Sequence, residues 1–158
     1  MSDDEIRVKT EENELTLEEM SQALPDTPAI MEKVGHSWWH LIYAARGGNW
    51  GLAEYYFKRV NKLTTILATL RPKHRERLER FQADSLPGVK RAIEAQDAEQ
   101  LERAYAAATE VANGMHVESD YPYIKWILPA EPPTGLQLEP VDPEPATASV
   151  IPIGDGRN

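Results

Sequence analysis

A chain of 158 residues with 41% hydrophobic side chains has room for one folded domain. It holds no cysteine, which excludes a disulfide framework, a thiolate nucleophile, cysteine-ligated zinc or iron–sulfur clusters and thioether-linked haem. A net charge of −9, with no Lys/Arg stripe interleaved with aromatics, argues against nucleic acid as a partner.

Residues 1–19 carry eight acids against two bases, and this acidic start is expected to be partly disordered. It shows neither the basic stretch nor the apolar segment of a signal peptide, so the expected location is cytoplasmic. A short helical turn over Leu15 to Leu24 ends at Pro25. The domain proper is expected over 20–128, a nearly neutral segment that holds most of the large apolar residues. Thr27 reads as an N-cap ahead of Pro28, and Met31, Val34, Trp38, Leu41 and Ala45 then recur in steps of three and four. That is the first main helix, and Gly47-Gly48 stops it. Asn49 caps a second helix with the stripe Ala53, Tyr56, Val60, Leu63, Leu67 and Leu70, which Pro72 ends. The basic segment Lys73 to Arg80 reads as a short solvated helix with Leu78 and Phe81 turned inward. A third main helix follows Ser85 and runs through Val89 and Ile93. Asp97 and Gln100 are spaced as a capping box for the fourth, which buries Leu101, Ala104, Tyr105, Ala108, Val111, Ala112 and Met115.

No strand-like alternation competes with these stripes, and connections this short force neighbouring helices to run antiparallel. The expected fold is all-α, an antiparallel up-and-down four-helix bundle with short extra helical segments and an extended Pro/Glu-rich C-terminal tail. Tyr121 to Leu128 is expected to pack back on the bundle. Residues 129–158, with five acids and seven of the twelve prolines, cannot build a core. They are expected to be a strap or disordered, with loose attachment from 136 onward. The longest apolar runs, such as 38–45, are broken by His40 and are far shorter than a bilayer span, so no membrane contact is expected.

Three groups of residues carry chemistry. His36 and His40 share a helical face with Glu32 and Tyr43, and such a face could bind a metal ion. That face lies roughly 140 to 160 degrees from the Trp38/Leu41 stripe and no third strong ligand is near, so a solvated or dimer-contact face is the expected reading and a metal site the alternative. The rings of Trp38, Trp39, Tyr43, Trp50, Tyr55, Tyr56 and Phe57 are too many for one stripe, so some must face a cavity, a ligand, the C-terminal strap or a second subunit. The third group is Ala112-Asn-Gly-Met-His116 at the end of the last helix.

The stretch Leu41-Ile-Tyr-Ala-Ala-Arg-Gly-Gly-Asn-Trp-Gly-Leu-Ala-Glu-Tyr55, together with the last helix and Tyr123-Ile-Lys-Trp-Ile-Leu-Pro-Ala-Glu-Pro-Pro133, resembles a bacterial family of small four-helix-bundle proteins related to c-type cytochromes. In that family a Gly-Asn-Trp-x-Leu-Ala-x-Tyr motif opens the second helix and Cys-x-x-Cys-His closes the last. The resemblance spans 27–133. It implies that His116 stands at the haem-ligand position, with Ala112 and Met115 where the two cysteines would be. Covalent haem is therefore impossible here, and haem held non-covalently remains a candidate cofactor. Removing a macrocycle without adding large residues leaves an apolar cavity, unless Ala112 and Met115 fill it.

The sequence thus points to a small apolar or aromatic ligand held near His116 and Met115, with Ala112, Trp39, Tyr43 and Trp50 as further walls, in a protein expected to be homodimeric. An interaction or structural subunit is the alternative. A small enzyme using His116 or a His36/His40 metal site is a second, ranked last because no nucleophile–base–orienter set is legible.

Overall fold

The structure, a computed structural model, describes residues 6–141. The described part of the acidic N-terminal segment carries a hairpin. Strands β1 (Arg7–Lys9) and β2 (Glu14–Thr16) form an antiparallel hairpin with Val8 opposite Leu15. Its turn is held by Thr10, whose hydroxyl accepts from Asn13 N–H and donates to Asn13 O. No alternation marks strands of three residues, so the sequence pattern misses them. Helix α1 (Leu17–Ala23) follows at once, with a full capping box: Glu19 N–H donates to the Thr16 hydroxyl, and Thr16 N–H to the Glu19 carboxylate.

The remainder is mainly helical: α2 (Thr27–Arg46), α3 (Trp50–Leu70), a 3₁₀ turn at Pro72–His74, α4 (Arg75–Asp84), α5 (Leu86–Ala95) and α6 (Ala98–Glu118). Local chemistry sets their ends. Asp26, not Thr27, caps α2 by accepting from Ala29 N–H. Asn49 caps α3 as its position predicts, accepting from Leu52 N–H. Asp97 accepts from Gln100 N–H, but its own N–H goes to the Ala92 carbonyl, so the reciprocal half of the box is absent. Gln96, in the left-handed region at φ 54°, makes the turn between α5 and α6. No helix among the described residues is long and apolar enough to cross a membrane.

Helix α2 is the central element. It packs along α3 across the tight Gly47–Asn49 turn and meets α6 on another side, where Trp38 Nε1 donates to Thr109 Oγ1 at 2.9 Å and Arg46 pairs with Glu102. The pairings 38 with 109 and 46 with 102 make α2 and α6 antiparallel. Two neighbours widen the buried arc of α2 beyond the Val34–Trp38–Leu41 stripe to include Ile30, Ser37, His40, Ile42 and Ala44. Tyr105 stacks on Trp38 with ring centroids 4.5 Å apart. Leu78 and Phe81 turn inward from α4, and Leu86, Val89, Ala92 and Ile93 from α5. Val111, expected on the buried stripe of α6, is exposed.

The segment after α6 is an extended strap whose hydrogen bonds to the helices reach Glu139. Asn113, buried on α6, grips the main chain of Trp126: its amide donates to the Trp126 carbonyl at 3.0 Å and its oxygen accepts from Trp126 N–H at 2.8 Å. Further along, Tyr43 donates to the carbonyls of Pro129 and Ala130, Trp39 to that of Glu131, and Asn49 to that of Glu139. Leu138 rests on Gly47, where a Cβ would collide with the Leu138 carbonyl. Of the segment expected to be disordered or loosely docked, 136–158, the described part ends at 141; residues 142–158 lie outside the described residues, as do residues 1–5 of the acidic start.

Candidate functional site: a cavity at the end of the last helix

Alanine and methionine on the inner side of α6 leave space that neighbouring helices do not fill. A cavity of about 110 Å³ opens between α2, α3, α4 and α6. Its apolar wall includes Met31, Val34 and Trp38 from α2, Val60 and Leu67 from α3, Leu78 and Phe81 from α4, and Ala108, Ala112 and Met115 from α6. Trp126 of the strap closes one side. Its indole lies against Gly35, where a Cβ would come within 3.3 Å of the ring. Met115, expected to be fully buried, is half-buried because it faces this space.

Thr27, His74, Arg77, His116, Ser119 and Tyr121 line the same cavity. Thr27 starts α2, His74 and Arg77 lie where α3 hands over to α4, and His116 and Ser119 close α6. These positions belong to one end of the helical assembly, so polar groups gather at one end of an apolar space. His116 is half-buried, its ring 5.9 Å from that of Trp126, and its Nδ1 is buried with no hydrogen-bond partner. An orphaned buried nitrogen costs about 1–3 kcal/mol. Burial pushes the His116 pKa down, partly opposed by the Ile124 main chain.

His74 is also lowered, by burial first and then by the cations Lys73, Arg77 and Arg71 around it. Its Nδ1 lies 3.4 Å from Arg77 Nη2, and Arg77 Nη1 donates to the Glu118 carbonyl at 3.1 Å. The sequence reading assigns these residues to a solvated helix. The available signal is that four of the eight residues from Lys73 to Arg80 are basic and that they flank the inward-facing Leu78.

Of the six site residues read from sequence, Ala112, Met115 and His116 come together at the cavity. Trp39, Tyr43 and Trp50 do not line it. Trp39 and Tyr43 bind the strap instead, and Trp50, at the start of α3, packs against the core. The strap was one of the surfaces open to those rings, and its carbonyls supply the acceptors that an indole N–H and a phenol need. Arg46 sits over the Tyr43 ring at 4.9 Å.

The His36/His40 face is corrected in part. His36 is exposed, but His40 is only 3% exposed and lies inside the packing. The rings stack at 3.7 Å, and His40 is covered by Tyr56 at 5.0 Å. Its Nδ1 is 2.7 Å from the His36 carbonyl, which can only accept, so Nδ1 carries the proton. Burial lowers the His40 pKa. The wheel argument fails here because it allows α2 a single buried stripe, whereas Tyr56 of α3 covers a second. No cluster of three or more His, Cys, Asp or Glu suited to a metal ion occurs among the described residues.

No protein family, curated protein or solved structure matches this chain.

Proposed function

We propose that this protein binds a small, largely apolar molecule in the cavity beside His116, on a four-helix-bundle scaffold. In this reading α2, α3, the α4–α5 pair and α6 are the four antiparallel legs, and the strap holds Trp126 against the cavity. The resemblance to the cytochrome-related family supplies the frame: His116 is retained, and Ala112 and Met115 leave space where a macrocycle would attach. The observation that carries the reading is a cavity walled by Val60, Phe81, Ala112 and Met115 whose polar lining, His116 among it, gathers at one end. Apolar cavities take apolar guests, as a benzene-binding cavity of about 150 Å³ illustrates. A space of about 110 Å³ is of that order and well below that of drug-sized pockets, roughly 300–1,000 Å³. We therefore take the ligand to be much smaller than a porphyrin, and haem has no part in this reading.

Calorimetric titration of the full chain with benzyl alcohol tests it. Saturable binding is expected, weakened in His116→Phe, which keeps a ring but loses the polar atom, and abolished in Ala112→Trp. Equal affinity in all three proteins would remove the cavity as the binding site.

A second reading, an interaction subunit, is favoured by the strap's outer surface, where Tyr123 and Ile127 are each 77% exposed. With Trp39 and Tyr43 engaged by the strap, less of the aromatic surface on α2 is left for a homodimer, and Tyr55 on α3 remains exposed. Sedimentation that stays monomeric in the wild type, with no change in Tyr123→Ser, would count against this reading.

A further inference from the structure

The polar end of the cavity has a definite charge. Among the described residues, Arg71, Lys73 and Arg77 have no carboxylate partner, although the whole chain carries a net charge of −9. Arg71 is spent on the chain itself: Nε donates to the Thr27 hydroxyl, Nη1 to the Leu70 carbonyl, and Nη2 reaches the Pro25 carbonyl. Arg77 is different. It lines the cavity, and its hydrogen bonds are with the Glu118 carbonyl and the His74 ring, which leaves donors of its five available. The nearby Glu118 carboxylate pairs with Arg80 at 3.7 Å rather than with Arg77. Helix α4 also begins here without a side-chain cap, so the positive end of its dipole adds to the field. The carbonyl end of α6 opposes it, and Arg77 neutralises part of that end by its bond to Glu118 O.

We propose that the ligand is an apolar monocarboxylate, a small aromatic or branched aliphatic acid. Its body fills the space between Val60, Phe81, Ala108 and Ala112, and its carboxylate lies at the polar end against the Arg77 guanidinium. This rests on the cavity reading above and specifies its ligand. A neutral guest would leave an unpaired guanidinium at the mouth, and an amine would meet Arg77, Lys73 and Arg71 as like charges. A dicarboxylate would have to bury a second charge among Met31, Val34 and Leu67 with nothing to pair it. Arg is suited to this role because its planar fork meets a carboxylate in two parallel hydrogen bonds.

The test is calorimetric titration of the full chain with phenylacetate, benzyl alcohol and phenethylamine, which share a ring and differ in charge. Phenylacetate is expected to bind roughly tenfold or more tightly than benzyl alcohol, the scale of one charge-assisted hydrogen bond, and phenethylamine more weakly than either. Arg77→Met should remove the preference for phenylacetate over benzyl alcohol, while Arg77→Lys keeps part of it. Wild-type protein that binds benzyl alcohol as well as phenylacetate would overturn the carboxylate proposal and leave the cavity reading standing. Wild-type protein that binds none of the three would overturn both. The wild-type comparison decides the matter even where Arg77→Met fails to fold.

Discussion

Asn113 is the residue on which the strap turns. A primary amide is the one side chain that offers a donor and an acceptor in the spacing of a peptide group, so it pairs with both main-chain groups of Trp126 as a neighbouring strand would. Asn113→Ala should cost about 1–3 kcal/mol in urea unfolding, because two partly buried main-chain groups lose their partners. Trp126 fluorescence should shift red as the indole leaves Gly35. Asn113→Asp keeps the acceptor but sets a carboxylate against the Trp126 carbonyl at a buried site and should cost at least as much as Asn113→Ala; a variant as stable as wild type would show that the strap is held elsewhere.

The histidines set a second residue-scale expectation. His40, His74 and His116 are all held below the ordinary imidazole value of 6.5, chiefly by burial. Each therefore binds its proton more readily in the unfolded chain, so their contribution to stability is complete above about pH 6.5 and declines as pH falls toward the lowered native values. Glu19, lowered by its hydrogen bonds from the Thr16 main chain and hydroxyl, acts in a separate window beginning near 4.5. Urea midpoints compared at about pH 7.5 and about pH 5.5 should fall with acidification, and less steeply in His116→Gln. Midpoints that do not move across this interval would contradict the burial assigned to these rings.

At the scale of elements, the helices were legible and their surroundings were not. The stripes Val34–Trp38–Leu41 and Ala53–Tyr56–Val60 are buried as spacing predicts, and Asn49 and Pro72 mark the limits of α3. Periodicity reports one buried side per helix, which is why it puts His40, on the second covered side of α2, on an outward face. The strap was half legible. An excess of rings announced that something must cover α2, but no pattern in a Pro-rich segment says which carbonyl a Tyr43 hydroxyl will find. The motif at 112–116 led to the cavity, whereas the basic run at 73–80 does not say which of its side chains lines it, because Arg77 finds its partners on α6 and the 3₁₀ turn. The strap's docking is testable as an element. Deleting residues 136–158 should lower the melting temperature by a few degrees, since Leu138 leaves Gly47 and Asn49 loses the Glu139 carbonyl. Deleting only 142–158 is the control, and equal losses in both would take the effect away from Leu138. Gly47→Ala should reproduce the larger deletion, because its Cβ and the Leu138 carbonyl cannot share one position.

For the whole molecule, an unfilled cavity is a standing cost. At about 24 cal/mol per Å³, the figure for a sealed cavity, a space of about 110 Å³ corresponds to at most roughly 2–3 kcal/mol that better packing would recover. That is a sizeable share of the roughly 5–15 kcal/mol by which domains are stable. A small side chain at 112 and a flexible one at 115 preserve the space, although larger apolar residues at 112 are only a substitution away. Ala112→Leu therefore separates a site from a packing fault. It should raise the melting temperature and at the same time abolish binding of benzyl alcohol and phenylacetate, the exchange of stability for function expected at a site kept open for a guest. Ala112→Trp, much larger, should also block binding but overpack the helices, costing about 1–3 kcal/mol. A stabilised Ala112→Leu protein with its binding intact would place the ligand elsewhere, and a destabilised one would mean that the helices close this space in solution.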